Sequence, residues 1–496
     1  MPAKVNHEPL LKNGTYDVKE VLELNFFDLS GKKAKTKGTS NKSYHIELHV
    51  AKSGNKAQLY SLWGPTGSNQ REDWRHYSSE SAAKSDFDKI IKSKKRKGYV
   101  EVDVAQRAYG SEEAKKITKA VILNNVDKTS KGSTTSLHPK VQQLVTRLFG
   151  STNDFVITTL KCPLGQLTNK QIDYGRDLLS DAKNLVGKRK RISSSIKSQL
   201  ENITNDFYAA IPHNLGSGAR GQMTHLILDD AIKIAQKEAD LDTLMDAKQV
   251  GAILTSNNVD QQYDSLNADI EYVDPNSYDF KWIEAMIHGT RASNHRWLGK
   301  IKLLNVWALS RKKEESIFLA NAEKIAKKCG KQPLPRQLEK YVKERPKLPR
   351  GRGSLYTNAN VLPLCHGTRT ENLIGITKNG FLIRPSGAVL TGAMYGSGAY
   401  FGMFSKAANY CSVRSSYWAR GQDDSGFLFI TDVALGKQKI ASYSGNYTLN
   451  NIKPCHSVWA KGGQSGVIND EFIVYNQSGP NQQHKINYLL EFKCNA

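Results

Sequence analysis

Four phrases in the last third of the chain gather residue types that can act on a flat ring joined to a centre of developing positive charge. They are LCHGTRTENLIGI (Leu364 to Ile376), TGAMYGSGAYF (Thr391 to Phe401), SKAANYC (Ser405 to Cys411) and NDEFIVYN (Asn469 to Asn476). Among them stand a histidine, His366, two tyrosines, Tyr400 and Tyr410, and a carboxylate, Glu471. Paired aromatic faces bind a planar ring, and a carboxylate suits developing positive charge, as in glycosidases. Taken singly, the same residues have plainer readings: His366 as a surface or capped histidine, Tyr400 as a core aromatic, Glu471 as a solvated charge. GSGAYF (Gly396 to Phe401) is not a dinucleotide-binding turn, because it lacks the third glycine and any strand-to-helix opening. The six cysteines lie far apart with no CxxC pair, so neither a zinc finger nor a disulfide framework is expected.

In this order the four phrases resemble the catalytic domain of the poly(ADP-ribose) polymerases throughout. The resemblance implies an ADP-ribosyltransferase fold built on two packed, mostly antiparallel sheets. It places the family's His-Tyr-Glu triad on His366, Tyr400 and Glu471. His366 would then bond ribose hydroxyls, Tyr400 and Tyr410 would sandwich the nicotinamide of NAD, and Glu471 would polarise the ribose and the attacking hydroxyl. Gly367 matches the glycine whose backbone bonds the carboxamide, and Thr368 and Asn372 match contacts to the adenosine end. Gly398 and Lys406 complete the implied NAD contacts, Lys406 beside the catalytic glutamate. There are departures: Ala407 stands where the family has a serine, the stretch between Tyr400 and Ser405 is one residue short, and the adenine-side arginine falls on Leu382, with Arg384 two residues away. NAD is implied as a consumed substrate, so no cofactor and no metal is expected.

Elements that must position these groups can be read along the chain. Residues 10–108 read as strands followed by a helix. Tyr44, Ile46, Leu48 and Val50 alternate as one buried face of a strand requires, and Ala83, Phe87, Ile90 and Ile91 take helix spacing before a basic run from Lys92 to Lys97. The order resembles a WGR domain, although the signature reads Trp63, Gly64, Pro65 where that family has arginine in third place. Trp63 is the signature's candidate DNA contact, Arg71 and Arg75 are the nearby cations that could stand in for the missing arginine, and the cluster holding Lys94, Lys95 and Arg96 reads as a DNA contact, a solvated helix end or a nuclear localisation signal. Residues 137–258 read as helices, including Asn169 to about Val186, Leu226 to Lys237, and another from Asp240 onward; Val141, Leu144, Val145 and Leu148 form an amphipathic stripe behind Pro139. PLGQLTNKQI (Pro163 to Ile172) and FYAAIPH (Phe207 to His213) resemble the helical regulatory domain of DNA-dependent poly(ADP-ribose) polymerases. Strand and turn patterns fill 269–496, with an insertion, Glu323 to Arg352, that has eleven Lys or Arg against three Glu and reads as an exposed basic loop. The fold class expected is multidomain α+β: a WGR-like sheet plus helix, an all-α regulatory domain and the two-sheet catalytic domain.

Seventy-one Lys and Arg against 47 Asp and Glu give a formal charge of +24 over 496 residues, which favours a polyanionic partner. DNA with strand breaks is the partner expected from the resemblance, together with protein acceptors and the chain itself, and no membrane. No run reaches the ~18 apolar residues of a membrane helix, and MPAKVNHEPL lacks a signal-peptide stretch, so a soluble intracellular protein is expected, nuclear where there is a nucleus. Two rival functions stand beside DNA-stimulated polymer synthesis: a mono-ADP-ribosyltransferase of the same fold, and a DNA-end-binding scaffold with a decayed site.

Overall fold

The computed structural model describes residues 16–30, 39–65, 70–102, 136–160, 167–187, 192–213, 223–346, 353–383 and 394–494. Pro163, Gly165, the run from Lys188 to Arg191, and Arg384 lie outside the described residues. Two compact units form, residues 1–133 with 154–249 and residues 134–153 with 250–496. The helical stretch read from the sequence is thus divided between them. No helix among the described residues is long and apolar enough to cross a membrane.

In the first unit β1 (Tyr16–Asp28), β2 (Ser40–Ala51), β3 (Ala57–Pro65), β4 (Arg71–Tyr77) and β5 (Val100–Val102) form an antiparallel sheet in the order β4-β3-β2-β1-β5. Helix α1 (Glu80–Arg96) starts at Ser79, whose hydroxyl accepts from Ala82 N. Its Ala83, Phe87, Ile90 and Ile91 pack on Tyr44, Ile46, Leu48 and Leu59. The alternation predicts one buried face, yet Ser43, His45, Glu47 and His49 on the opposite face are buried as well. Hydrogen bonding makes this tolerable: His45 joins Glu23 at 2.9 Å and Glu47 at 2.6 Å, Glu47 joins His49 at 2.6 Å, and Gln58 lies 3.2 Å from His49. Spacing arguments reward apolar residues on a covered face and do not register polar side chains that pair with one another.

Helix α2 (Pro139–Thr159) begins at its proline, where the missing N–H is harmless. Thr168 and Gln171 form a capping box at the start of α3 (Asn169–Val186). Helix α4 (Ser194–Ala210) lies on β1, with Leu29 N donating to Asn205 Oδ1 at 2.9 Å and Phe27 and Tyr208 5.1 Å apart. The two helices expected after Leu226 are instead one, α5 (Ala231–Val250), preceded by a short 3₁₀ turn at Thr224–Leu226. Nothing between Lys237 and Asp240 breaks a helix, and Gln236 and Lys237 both reach Asp240 one turn on.

The second unit holds a nine-stranded sheet in the order β11-β12-β13-β9-β8-β10-β14-β7-β6. Its strands are β6 (Asp269–Tyr272), β7 (Ile301–Ser310), β8 (Val361–Gly367), β9 (Ala399–Gly402), β10 (Gly426–Ala434), β11 (Gln438–Ile440), β12 (Ser457–Ala460), β13 (Glu471–Val474) and β14 (His484–Cys494). All neighbours are antiparallel except β11 and β12. The halves ending in β9 and β8 meet through a single residue pair, Cys365 with Gly402. Helix α6 (Tyr278–Gly289) covers the β8-to-β7 half with Trp282, Ile283, Met286 and Ile287 packed among Val306, Leu428, Leu490 and Phe492. The start of α2 belongs to this unit: Arg147 donates to Glu491 at 2.8 Å, and Trp307 Nε1 donates to Lys140 O.

The insertion expected to be an exposed loop is, as far as Pro346, largely folded onto this unit, and its residues 347–352 lie outside the described residues. It begins inside α7 (Glu314–Ala326), and a short helix α8 (Glu339–Lys343) follows. Leu338 and Tyr341 are buried, Trp282 Nε1 donates to Tyr341 O at 3.1 Å, and Tyr278 donates to Glu344 O at 2.7 Å. Arg345 is buried against Asp432 at 3.2 Å and bonds Val361 O. Its charge surplus hides a few apolar anchors and one basic residue with a buried carboxylate partner.

Candidate active site

The seam between the two halves of the sheet brings the four phrases together. His366 and Gly367 end β8, Tyr400 lies on β9, and Glu471 opens β13, paired with Gly402 of β9. Helix α9 (Phe404–Ala408) follows β9 and carries Lys406 and Ala407, with Tyr410 just beyond. Glycine is required at two of these positions by close approach: a Cβ on Gly367 would run into the backbone of Ala407, and one on Gly398 would meet Ile473 and the carbonyl of Val474.

His366 Nδ1 lies 2.9 Å from Tyr400 O. A carbonyl only accepts, so that nitrogen carries the ring proton and Nε2 is left as an acceptor. Burial pushes the imidazole down to about 4, which keeps it neutral at pH 7. Phe381 and Phe401 stand edge-on to the ring at 4.6 and 5.8 Å and fix its plane. Tyr400 donates to Gly396 O at 2.8 Å and accepts from Tyr395 N at 2.9 Å, so its ring is held at both the strand and the phenol end. Glu471 is buried and pairs with Lys406 at 2.5 Å. Burial raises the phenols of Tyr400 and Tyr410, and the Glu471 charge adds to both; Tyr395 is pushed up to about 12 in the same way. Tyr410 lies under Lys406 and runs parallel to Trp418, their centroids 6.3 Å apart. Asn372 donates to Thr368 Oγ1 at 3.1 Å, so these two form one small polar group beside β8. Leu382 is 43% exposed, an apolar side chain where the sequence comparison looks for a cation.

Glu491, the other carboxylate near the C-terminus, is held by Arg147, Asn305 and Ser425. It lies on β14, separated from β13 by three strands. Residues that sequence reasoning missed include Trp418 and exposed Tyr417, on a loop anchored by three bonds to Asn409, and His295, which bonds Ser405, Asn409 and Asn469. Asn409 and Asn469 stand inside two of the four phrases, but His295 lies far upstream, where spacing carries no signal.

In the first unit, Trp63, Arg75 and Lys94 line one cleft with Tyr44, Ile90 and Ser93. Trp63 sits across from Tyr44 in the β2–β3 ladder and stacks on it at 6.0 Å. Lys94 Nζ lies 3.7 Å over the Tyr44 ring, and burial, with Lys97 and Lys42 nearby, lowers it to about 8. Arg75 bonds Asp73 and Asp86, and Lys95 pairs with Glu101 at 2.5 Å, so each has an internal partner. Arg71 pairs with Trp63 on the β3–β4 ladder, and Arg96 is exposed at the end of α1.

Comparison with known proteins matches a WGR domain at residues 27–106, the poly(ADP-ribose) polymerase regulatory domain at 135–270 and the poly(ADP-ribose) polymerase catalytic domain at 277–494. The chain is 27% identical over 402 residues to poly [ADP-ribose] polymerase 1 of Gallus gallus, covering 74% of this chain and 35% of that protein. It is 27% identical over 499 residues to poly [ADP-ribose] polymerase of Drosophila melanogaster, covering 91% and 44%. Against poly [ADP-ribose] polymerase 2-A of Oryza sativa subsp. japonica it is 24% identical over 472 residues, covering 88% and 62%. It thus spans from a third to under two thirds of the length of these relatives. The chain thus carries, in order, a WGR domain, a poly(ADP-ribose) polymerase regulatory domain and a poly(ADP-ribose) polymerase catalytic domain, and the relatives it resembles are poly(ADP-ribose) polymerases.

Proposed function

We propose that this chain transfers ADP-ribose from NAD to protein acceptors, itself included, and extends it to polymer, releasing nicotinamide, with broken DNA as the activator. The observation that carries the reading is the buried Glu471–Lys406 pair beside Tyr410, on the seam that also holds His366 and Tyr400. Nicotinamide lies between Tyr400 and Tyr410, its carboxamide on the Gly367 backbone. His366 Nε2 accepts a ribose hydroxyl, which orients the sugar without adding a positive charge near the bond to be broken. As the C–N bond breaks, its electron pair leaves with nicotinamide and positive charge spreads over the ribose, where the Glu471 carboxylate stabilises it. The same carboxylate then assists loss of the proton from an attacking acceptor hydroxyl. Glu471 thereby favours elongation over single transfer, and Lys406 holds it in place.

The cleft of Tyr44, Trp63 and Lys94, together with exposed Arg96 at the end of α1, supports DNA contact by the first unit, and the +24 charge supports long-range attraction. DNA-associated action in the nucleus accords with this. Incubating the chain with labelled NAD, with and without nicked or blunt DNA at low salt, tests the reading. Nicotinamide release and polymer that rise with DNA are expected; no release under any condition overturns the activity, and equal release with and without DNA overturns the activation.

A further inference from the structure

Two of the four phrases that build the proposed NAD site converge on one imidazole that none of the four contains. His295 Nδ1 lies 2.9 Å from Ser405 Oγ, next to Lys406. Its Nε2 lies 3.2 Å from Asn409 Nδ2, next to Tyr410, and 3.1 Å from Asn469 Nδ2, two residues before Glu471. The ring is buried, and its own segment is fastened to the same place by Ala292 N, which donates to Ser405 Oγ at 2.8 Å.

Proton bookkeeping decides what the ring must be. The Asn409 amide is oriented by its oxygen, which accepts from Tyr417 N, so its nitrogen faces His295. Amide nitrogens donate only. With two of them on Nε2, that atom has to be bare, and the single ring proton sits on Nδ1 and goes to Ser405 Oγ. A second ring proton would set an N–H against two donors and release both asparagines together.

We propose that His295 is a positioning residue of the transfer reaction, a neutral imidazole that ties Asn409 to Asn469 and so holds the ring-stacking Tyr410 in register with the carboxylate Glu471. This rests on the reading that the cleft turns over NAD. Burial and the neighbouring Lys406 charge both lower the His295 pKa, in keeping with the neutral form. The charged groups around it are Lys406 on α9 with its partner Glu471 on β13, Asp470, whose Oδ1 accepts from Gly462 N, and Arg291 and Arg296 on its own segment, of which Arg291 donates to Gly299 O.

His295→Leu removes both acceptor bonds. A shift of about 1 Å between reacting groups lowers turnover about a hundredfold, so kcat is expected to fall by that order, while KM for NAD changes by less than about threefold because Tyr400 and the Gly367 backbone, which also hold the ring, are untouched. His295→Gln offers an oxygen to the two asparagines and an N–H to Ser405, and is expected to recover kcat to within about tenfold of wild type. The wild-type rate is expected to fall with an acid limb below the ordinary histidine value of about 6.5, as His295 takes its second proton. Glutamine does not titrate, so in His295→Gln that limb moves down to the one that His366, held at about 4, still imposes. Wild-type kcat in His295→Leu, or an unchanged acid limb in His295→Gln, overturns the proposal. Nitrogen-15 NMR of histidine-labelled full chain, with His295→Gln identifying the resonance, reads the tautomer without turnover. The Nδ1–H form at pH 7 is expected, and an Nε2–H form overturns the proposal even if nicotinamide release proves absent.

Discussion

Glu471→Gln separates chemistry from architecture at the proposed site. The side chain keeps its shape and one acceptor oxygen but loses its charge, while Lys406, its partner at 2.5 Å and only 16% exposed, is left without an anion. Two effects follow and have to be told apart. Weakening a charge-assisted bond of this kind costs about 2 kcal/mol, which lowers the melting temperature of a unit this size by about 4–8 °C. Loss of general-base assistance lowers the rate about 10²- to 10⁴-fold, or about 3–5 kcal/mol of barrier, and elongation suffers most because a ribose hydroxyl must lose its proton. Adding Lys406→Met removes the stranded cation. If the defect is structural, the double variant regains stability and polymer together; if it is chemical, as expected, it regains stability alone. Melting curves and denaturing gels of products from labelled NAD measure both. Full-length polymer from correctly folded Glu471→Gln would refute the assigned role. Glu491 would not inherit it, because Arg147, Asn305 and Ser425 already occupy that carboxylate.

Other consequences can be measured on the same protein. If about six phosphates are contacted, DNA affinity falls roughly a thousandfold between 50 and 200 mM salt; in anisotropy titrations Arg96→Ala is expected to reduce the salt slope by about 0.9, whereas Arg75→Ala, which breaks bonds to Asp73 and Asp86, lowers stability. Arg345→Met strands the buried Asp432 carboxylate and is expected to cost about 3 kcal/mol and to open the 327–346 segment to limited proteolysis, where an unchanged cleavage pattern would deny that this ion pair anchors it. The buried His45 has a raised pKa: burial, the largest influence, opposes the shift, but the bonds to Glu23 and Glu47 outweigh it. Its stabilisation is therefore complete below the unfolded value of about 6.5 and lost as pH rises through the folded value. Thermal unfolding of the first unit should weaken over that interval, and His45→Gln should flatten the dependence.

The four phrases were legible in the sequence because each keeps its functional residue beside the turn or strand end that presents it. His366 is followed by a glycine that no side chain could replace against Ala407, and Tyr400 follows Gly398, whose bare Cα permits close approach to β13. Periodicity found the α1 stripe and the apolar face of β2 for the same local reason. What the sequence could not contain is coincidence in space between distant segments. Only the tertiary structure brings His295 to Asn409 and Asn469, seats Arg345 from a basic insertion on Asp432, and lets Glu23, His45, Glu47 and His49 pair with one another inside a sheet. The physical reason is the same each time. A buried polar or charged side chain is stable only with its partner, the partner is chosen by the fold, and until it is known the residue reads as a surface charge or a solvated histidine.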